Sequence, residues 1–230
     1  METRFVDCRD GDAYLAGHIP GAVHADPERD LTGADGGGRH PLPTAAAFAE
    51  WASAAGIGSE TLVVGYDAGT GWAARLWWLL RHFGHDRAAA IDLACWNGPL
   101  RSDSEEITPA EFVPHSRSDD LASAGELLAR LGDPRLVLLD ARAPERYRGE
   151  VEPIDRIAGR IPGARNLPFT ETAPLPAELL EAPELVAYCG SGVTACVNVL
   201  ALTLAGRDDV RLYPGSWSEW SELGNPVERG

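Results

Sequence analysis

Short apolar runs recur along the chain, separated by longer stretches in which apolar residues return with helical spacing. That alternation reads as βαβ units on a mostly parallel sheet, an α/β chain. The runs are Phe5-Val6, Leu62-Val63-Val64, Val137-Leu138-Leu139 and Leu185-Val186-Ala187. Helices are predicted over residues 48–55, 73–83, 122–131 and 193–205. From about residue 101 to 120 the sequence carries two prolines among many Ser, Asp and Glu, and reads as a linker. Two tandem domains follow, over residues 1–105 and 118–230, each a mostly parallel sheet flanked by helices.

An internal repeat relates the halves. Gly17-His18-Ile19-Pro20-Gly21-Ala22 recurs as Gly159-Arg160-Ile161-Pro162-Gly163-Ala164. Each copy follows a strand ending in an acid and then an arginine, Asp7-Cys8-Arg9 in one and Asp140-Ala141-Arg142 in the other. Each precedes a strand that runs into a loop and a helix, Gly65-Tyr66-Asp67 and Ala187-Tyr188-Cys189. Proline fixes φ and glycine permits a tight bend, so the Ile-Pro-Gly-Ala segments are read as turns.

Charge narrows the partners. With 35 acidic and 20 basic side chains the net charge is −15, which disfavours nucleic acid and anionic membranes. A local arginine can still admit a small anion to a cleft. Every basic residue is Arg, so Schiff-base and P-loop lysine chemistry are excluded. No run of about 18 apolar residues marks a transmembrane helix. The N-terminus lacks a signal-peptide pattern, so a cytoplasmic location is expected. Cys8, Cys95, Cys189 and Cys196 show no CxxC or CxxH spacing, and neither a metal site nor a disulfide framework is predicted. Cys8, Cys95 and Cys196 are read as small apolar residues.

Cys189 differs by its surroundings. It ends an apolar strand and precedes Gly190-Ser191-Gly192 and a helix start at Val193. The glycines let the backbone fold into a cup whose N–H groups face the sulfur. The helix start adds the positive end of its dipole. Both effects favour an anionic sulfur, as thiolate or persulfide. Ser191 adds a hydroxyl donor, and Thr194 is placed to cap the helix or bond the sulfur. In the first copy the matching position is Asp67, in Tyr66-Asp67-Ala68-Gly69-Thr70-Gly71, and a carboxylate cannot carry sulfur.

The two strand–turn units, Cys189-Gly190-Ser191-Gly192-Val193-Thr194 and Gly215-Ser216-Trp217-Ser218-Glu219-Trp220 resemble the tandem rhodanese family of thiosulfate and 3-mercaptopyruvate sulfurtransferases. The loop is closer to the mercaptopyruvate branch. The resemblance implies a persulfide on Cys189 and a first domain inactive in transfer. It implies no cofactor, a small anionic sulfur donor, and cyanide, a thiol or a thioredoxin-like protein as acceptor. Arg146 matches a substrate-binding arginine, suited to an oxyanion by its planar fork. Mercaptopyruvate members carry a second arginine after a Glu-Pro pair; here Ile154 follows Glu152-Pro153, and the nearest arginine is Arg156. Arg160 replaces the histidine usual in the second repeat. Glu28 falls where an aspartate assists the cysteine and serine, and His40 matches a histidine near that acid; together they are candidate proton-transfer helpers. Arg142 is read as pairing with a carboxylate, Trp217 and Trp220 as core, and the protein as a monomer.

Two other readings compete. A phosphatase of related fold needs an arginine six positions after the cysteine, and Ala195 stands there. A non-catalytic rhodanese-like protein-binding module is the other alternative, although such modules usually lose the cysteine that this chain keeps.

Overall fold

The protein is described by a computed structural model covering residues 2–102 and 105–230. Asp103 and Ser104, in the stretch read as a linker, lie outside the described residues, as does Met1. The chain divides into two compact units, Met1–Ala34 with Leu42–Arg117, and Asp35–Pro41 with Ser118–Gly230.

In the first unit β1 (Thr3–Asp7), β2 (Val23–His24), β3 (Leu62–Asp67) and β4 (Ala88–Asp92) form a parallel sheet in the order β2-β1-β3-β4. Three helices accompany it, α1 (Gly11–Ala16), α2 (Ala45–Ala54) and α3 (Trp72–His82). α2 begins three residues before the predicted start because the Thr44 side chain accepts the Ala47 N–H and caps it. Phe48, Leu76, Leu79 and Phe83 are buried, and the Phe48 and Phe83 rings stack at 4.8 Å. The stretch read as a linker runs without helix or strand over residues 105–117 and is bonded to this unit. Ala110, His115 and Arg117 N–H groups donate to the Ser53, Phe83 and His82 carbonyls.

The second unit repeats the plan. Its strands β5 (Leu136–Asp140), β6 (Arg165–Asn166), β7 (Glu184–Tyr188) and β8 (Arg211–Leu212) form a parallel sheet in the order β6-β5-β7-β8. The helices are α4 (Ala124–Ala129), α5 (Pro144–Tyr147), α6 (Ala177–Leu180), α7 (Ala195–Leu204) and α8 (Ser216–Glu222). Two parallel four-stranded sheets flanked by helices meet the expected α/β architecture. The core gathers Leu127, Leu138, Val186, Tyr188, Trp217 and Trp220, so both tryptophans are packing residues as read. Among the described residues no helix is long and apolar enough to cross a membrane.

The repeat has one set of fastenings in both units. Asp7 lies beside Tyr66 in the sheet register and Asp140 beside Tyr188. The Tyr66 hydroxyl accepts the Ile19 N–H at 3.0 Å, and the Tyr188 hydroxyl accepts that of Ile161 at 3.2 Å. Arg9 binds Asp7 and the Gly17 carbonyl; Arg142 binds Asp140 and the Gly159 carbonyl at 2.7 Å each. The Ile-Pro-Gly-Ala turn is thus tied to a strand-end tyrosine and arginine, which explains why it recurs. Arg160 takes over the histidine's packing role. His18 stacks on Tyr14 at 4.1 Å, whereas the Arg160 guanidinium lies 4.4 Å over the Tyr147 ring and donates to the Gly230 carbonyl.

Candidate active site

β7 delivers Cys189 to the carboxyl end of the parallel sheet, where the loop 190–194 leads into α7. The side chain is buried, at 1% exposed. The Gly192 N–H donates to Sγ at 3.1 Å. Gly192 adopts φ +81°, and a Cβ there would lie 2.4 Å from the Pro214 carbonyl oxygen, so the turn that aims this N–H needs glycine. α7 starts two residues later than predicted, the left-handed turn at Gly192 having delayed it. Thr194 stands at the N-cap position with helical backbone angles, and its hydroxyl makes no capping bond.

α8 holds the cup from the other side. Ser216 Oγ accepts the Cys189 N–H at 3.0 Å and donates to the Tyr213 carbonyl at 2.9 Å. Trp217 and Ser218 N–H groups donate to the Cys189 and Gly190 carbonyls, both at 3.0 Å. Ser216 sits at φ +53°, a conformation that non-glycine residues avoid, and its two hydroxyl bonds hold it there. The Trp217 indole donates to the Ile157 carbonyl at 2.9 Å, and the Arg142 guanidinium lies 4.8 Å over its ring.

Ser191 and His40 are brought together, with His40 Nδ1 2.7 Å from Ser191 Oγ. His40 belongs to the segment Asp35–Pro41, which groups with the second unit. A run of glycines makes that segment fit. A Cβ on Gly37 would lie 1.9 Å from Glu219 Oε1, and one on Gly38 would lie 2.5 Å from the Gly215 carbonyl oxygen. The Arg39 N–H then donates to Ser218 Oγ at 3.1 Å. Glu28 is exposed in the first unit, in a turn where its N–H donates to Asp26 Oδ1.

Arg146 lies at the loop. Its Nη2 donates to Glu152 Oε1 at 2.6 Å and is 3.6 Å from Asp155 Oδ2. Arg142 pairs with Asp140 as read, both side chains almost fully buried, and reaches Glu152 at 3.2 Å. Burial pushes the Glu152 carboxyl up, but the Arg146 guanidinium and the Asp155 and Ile154 N–H groups outweigh it and hold the carboxyl below its usual range. Arg39 pairs with Asp155. Arg156 is exposed. Sequence reasoning missed Arg39, Ser216 and Ser218. The signal for Arg39 was Gly36-Gly37-Gly38 directly before it, a run whose use is legible only once α8 is seen against it.

Cys8 offers a contrast among the cysteines. It too follows a strand, but burial pushes its thiol well up and the nearby Asp67 and Asp7 carboxylates push it further. Cys196 is buried and Cys95 exposed, and all four cysteines are free.

The rhodanese-like domain family matches residues 1–93 and 123–223. A probable 3-mercaptopyruvate sulfurtransferase of Pseudomonas aeruginosa is 45% identical, over 94% of this chain and 86% of that one. A putative thiosulfate sulfurtransferase, SseB, of Mycobacterium tuberculosis is 38% identical, over 95% of this chain and 85% of its own length. Among solved structures, SseA from Escherichia coli superposes with a TM-score of 0.78 at 30% identity, covering 94% of this chain and 93% of that one.

Proposed function

The chain belongs to the tandem rhodanese-like family and is a sulfurtransferase, and from that premise we propose that Cys189 carries the sulfur as a persulfide, with 3-mercaptopyruvate as the preferred donor. The observation that carries the reading is the cup itself: a cysteine sulfur accepting the Gly192 N–H beside Arg146 and the Ser191–His40 pair. Those groups are what an anionic donor and an anionic sulfur require.

The first half-reaction follows from the chemistry of the groups. The Cys189 thiolate attacks the donor sulfur, an S–S bond forms, and the C–S bond breaks with its electron pair going to carbon. The enolate of pyruvate that leaves takes up one proton, supplied overall by the donor's own thiol, leaving the persulfide anion in the cup. Ser191 and His40, 2.7 Å apart, form a route for that proton. Thiosulfate would lose sulfite, which needs no proton, and so gives that pair nothing to do. This difference favours mercaptopyruvate. Arg146 would hold the donor carboxylate. In the second half-reaction a thiolate or cyanide takes the terminal sulfur and Cys189 leaves as thiolate. A thioredoxin-like protein is one such thiol.

Only one site turns over in this reading, because Asp67 occupies the first unit's equivalent position. The reading takes the protein to work as a monomer in the cytoplasm, where free thiols persist. Intact mass after brief exposure to 3-mercaptopyruvate or thiosulfate is the test. The wild type should gain about one sulfur atom and lose it to cyanide, and Cys189→Ser should gain none. Absence of the gain with both donors overturns the persulfide reading and leaves the binding module. Faster loading by thiosulfate overturns the donor preference alone.

A further inference from the structure

Gly190 follows the nucleophile and has no side chain, and two guanidinium groups converge on the space this leaves. A Cβ placed there would lie 3.0 Å from Arg39 Nη2 and 3.5 Å from both Nη1 and Nη2 of Arg146. The two arginines come from distant parts of the sequence, yet both belong to the second unit. Each is held on one side by a carboxylate. Arg146 gives Nε and Nη2 to Glu152, and Arg39 gives Nη1 to Asp155. Among the described residues, Nη1 of Arg146 and Nη2 of Arg39 have no hydrogen-bond acceptor. Two oriented donors without acceptors, one residue from a nucleophilic sulfur, define an anion site.

We propose that Arg39 is a donor-binding residue that closes a two-arginine clamp with Arg146 on the carboxylate of 3-mercaptopyruvate above Gly190. The identity of the anion rests on the sulfurtransferase reading of Cys189. Arg39 is built in rather than draped over the surface. Its N–H hangs on Ser218 Oγ, and the Ser218 N–H holds the Gly190 carbonyl at 3.0 Å, so one serine sets the guanidinium and the nucleophile loop together. Gly38, at φ +80° against the Gly215 carbonyl, lets the backbone come that close. A cleft of about 650 Å³ has Gly38, Arg39, Asp155, Arg156, Ser218 and Glu222 in its wall, so the Arg39 side of the clamp borders open space. Arg156 lines the cleft, while the guanidinium atoms nearest Gly190 are those of Arg39 and Arg146. Arg39 is positioned through its backbone by Ser218, while the Asp155 carboxylate, paired with Arg39 and 3.6 Å from Arg146 Nη2, partly offsets the charge of both arginines.

The clamp makes a prediction that does not need turnover. Iodoacetate places a carboxylate beside the carbon that Cys189 attacks; iodoacetamide is its neutral isostere. The ratio of their alkylation rates, read by mass spectrometry on the Cys189 peptide, reports the anion site directly. Arg39→Gln should lower that ratio about tenfold and raise KM for 3-mercaptopyruvate about tenfold with kcat within about threefold, as expected for loss of one charge-assisted contact. Asp155→Asn breaks the same ion pair from the other side, leaves Arg39 in place, and should raise the ratio. If Arg39 serves only to pair with Asp155, both variants slow both reagents alike, and that result overturns the proposal. An unchanged ratio in Arg39→Gln also overturns it, while persulfide loading would still stand. Should Arg39→Gln fail to fold, a fall of the ratio in Asp155→Asn overturns it alone. A wild type that never loads sulfur but whose ratio responds as stated removes the donor's identity and keeps the clamp.

Discussion

The loop at Asp67 and the loop at Cys189 are one structural device with two occupants. Both lie at, or one residue after, the end of an inner strand of a four-stranded parallel sheet, and both lead into a long helix. In the first unit the Asp67 carboxylate fills the cup. It accepts the Gly69 N–H, the Thr70 hydroxyl and the Ala73 N–H, each at 3.0 Å. In the second unit the Cys189 sulfur accepts the Gly192 N–H at 3.1 Å. A cup of inward N–H groups at a helix start is complementary to negative charge. One half fills the loop with a carboxylate that takes three donors, and the other with a sulfur that takes the Gly192 N–H. The comparison teaches that one loop geometry serves both halves, and on the proposed reading the residue placed in it decides which half reacts.

The strongest way to break this view is to exchange the occupants. Cys189→Asp should abolish sulfur transfer to below about one thousandth of wild type while leaving thermal stability unchanged or higher, since a carboxylate suits the cup. A large loss of stability would mean that the two cups are not equivalent. Asp67→Cys should gain no measurable persulfide on brief exposure to donor, because Ala13, just before Tyr14, stands where Arg146 stands before Tyr147.

Next in size is the glycine pair. Gly192→Ala meets the Pro214 carbonyl oxygen at 2.4 Å with φ at +81°, and should cost about 2–4 kcal/mol and about a hundredfold in loading rate. Gly69→Ala carries similar strain, at φ +76°, but its nearest neighbour is Asp92 Oδ2 at 3.7 Å. It should cost only about 1 kcal/mol and leave transfer intact. Urea unfolding alongside intact mass after donor exposure measures both. Equal costs would show that backbone strain, and not the contact with Pro214, sets the turn.

How far this comparison could be seen in the sequence depends on range. The repeated turns, the apolar strands and the Cys189/Asp67 correspondence are local patterns, and the parallel sheets follow from them. Helix starts moved by two or three residues where a cap at Thr44 or a left-handed glycine at 192 decided them, and these depend on backbone angles that periodicity does not report. Ser191 and His40 were matched by resemblance, and they lie 2.7 Å apart. Arg39 was illegible because its role depends on a glycine run meeting α8, far along the chain. Ser216 was illegible because its contribution is a strained backbone angle. The stretch around residues 105–117 looked like a linker by composition, yet its Ala110, His115 and Arg117 N–H groups donate to carbonyls of the first unit.

A third exchange touches stability only. Asp67→Asn keeps the shape of the side chain, removes its charge and replaces one acceptor oxygen by a donor. The first unit should lose about 2 kcal/mol, the order of a charged hydrogen bond, with sulfur transfer unchanged. A loss of transfer of more than about twofold would mean that the first cup communicates with Cys189 by some path beyond its own unit.

The smallest expected effect separates the units by acid. In the second unit Arg211 and Arg130 hold the Glu126 carboxyl below its usual range, and Arg130 and Arg211 do the same for Glu184, in each case against the opposing effect of burial. Arg130 lies 2.7 Å from Glu184 and Arg211 lies 2.6 Å from Glu126, so the four groups form one network between α4, β7 and β8. A carboxyl whose folded-state pKa lies below its unfolded value contributes stability that is fully present above the unfolded pKa, about 4.3 for Glu, and is lost as pH falls through the folded pKa. The second unit should therefore lose stability as pH drops from about 5 towards 3. Glu184→Gln should flatten that dependence while lowering stability at pH 7 by no more than about 1 kcal/mol, because these side chains are partly exposed and screened. Thermal melting of both proteins across that range decides it. A Glu184→Gln melting curve that falls with pH as steeply as the wild type would mean that the network orients the strands without being titrated by their unfolding.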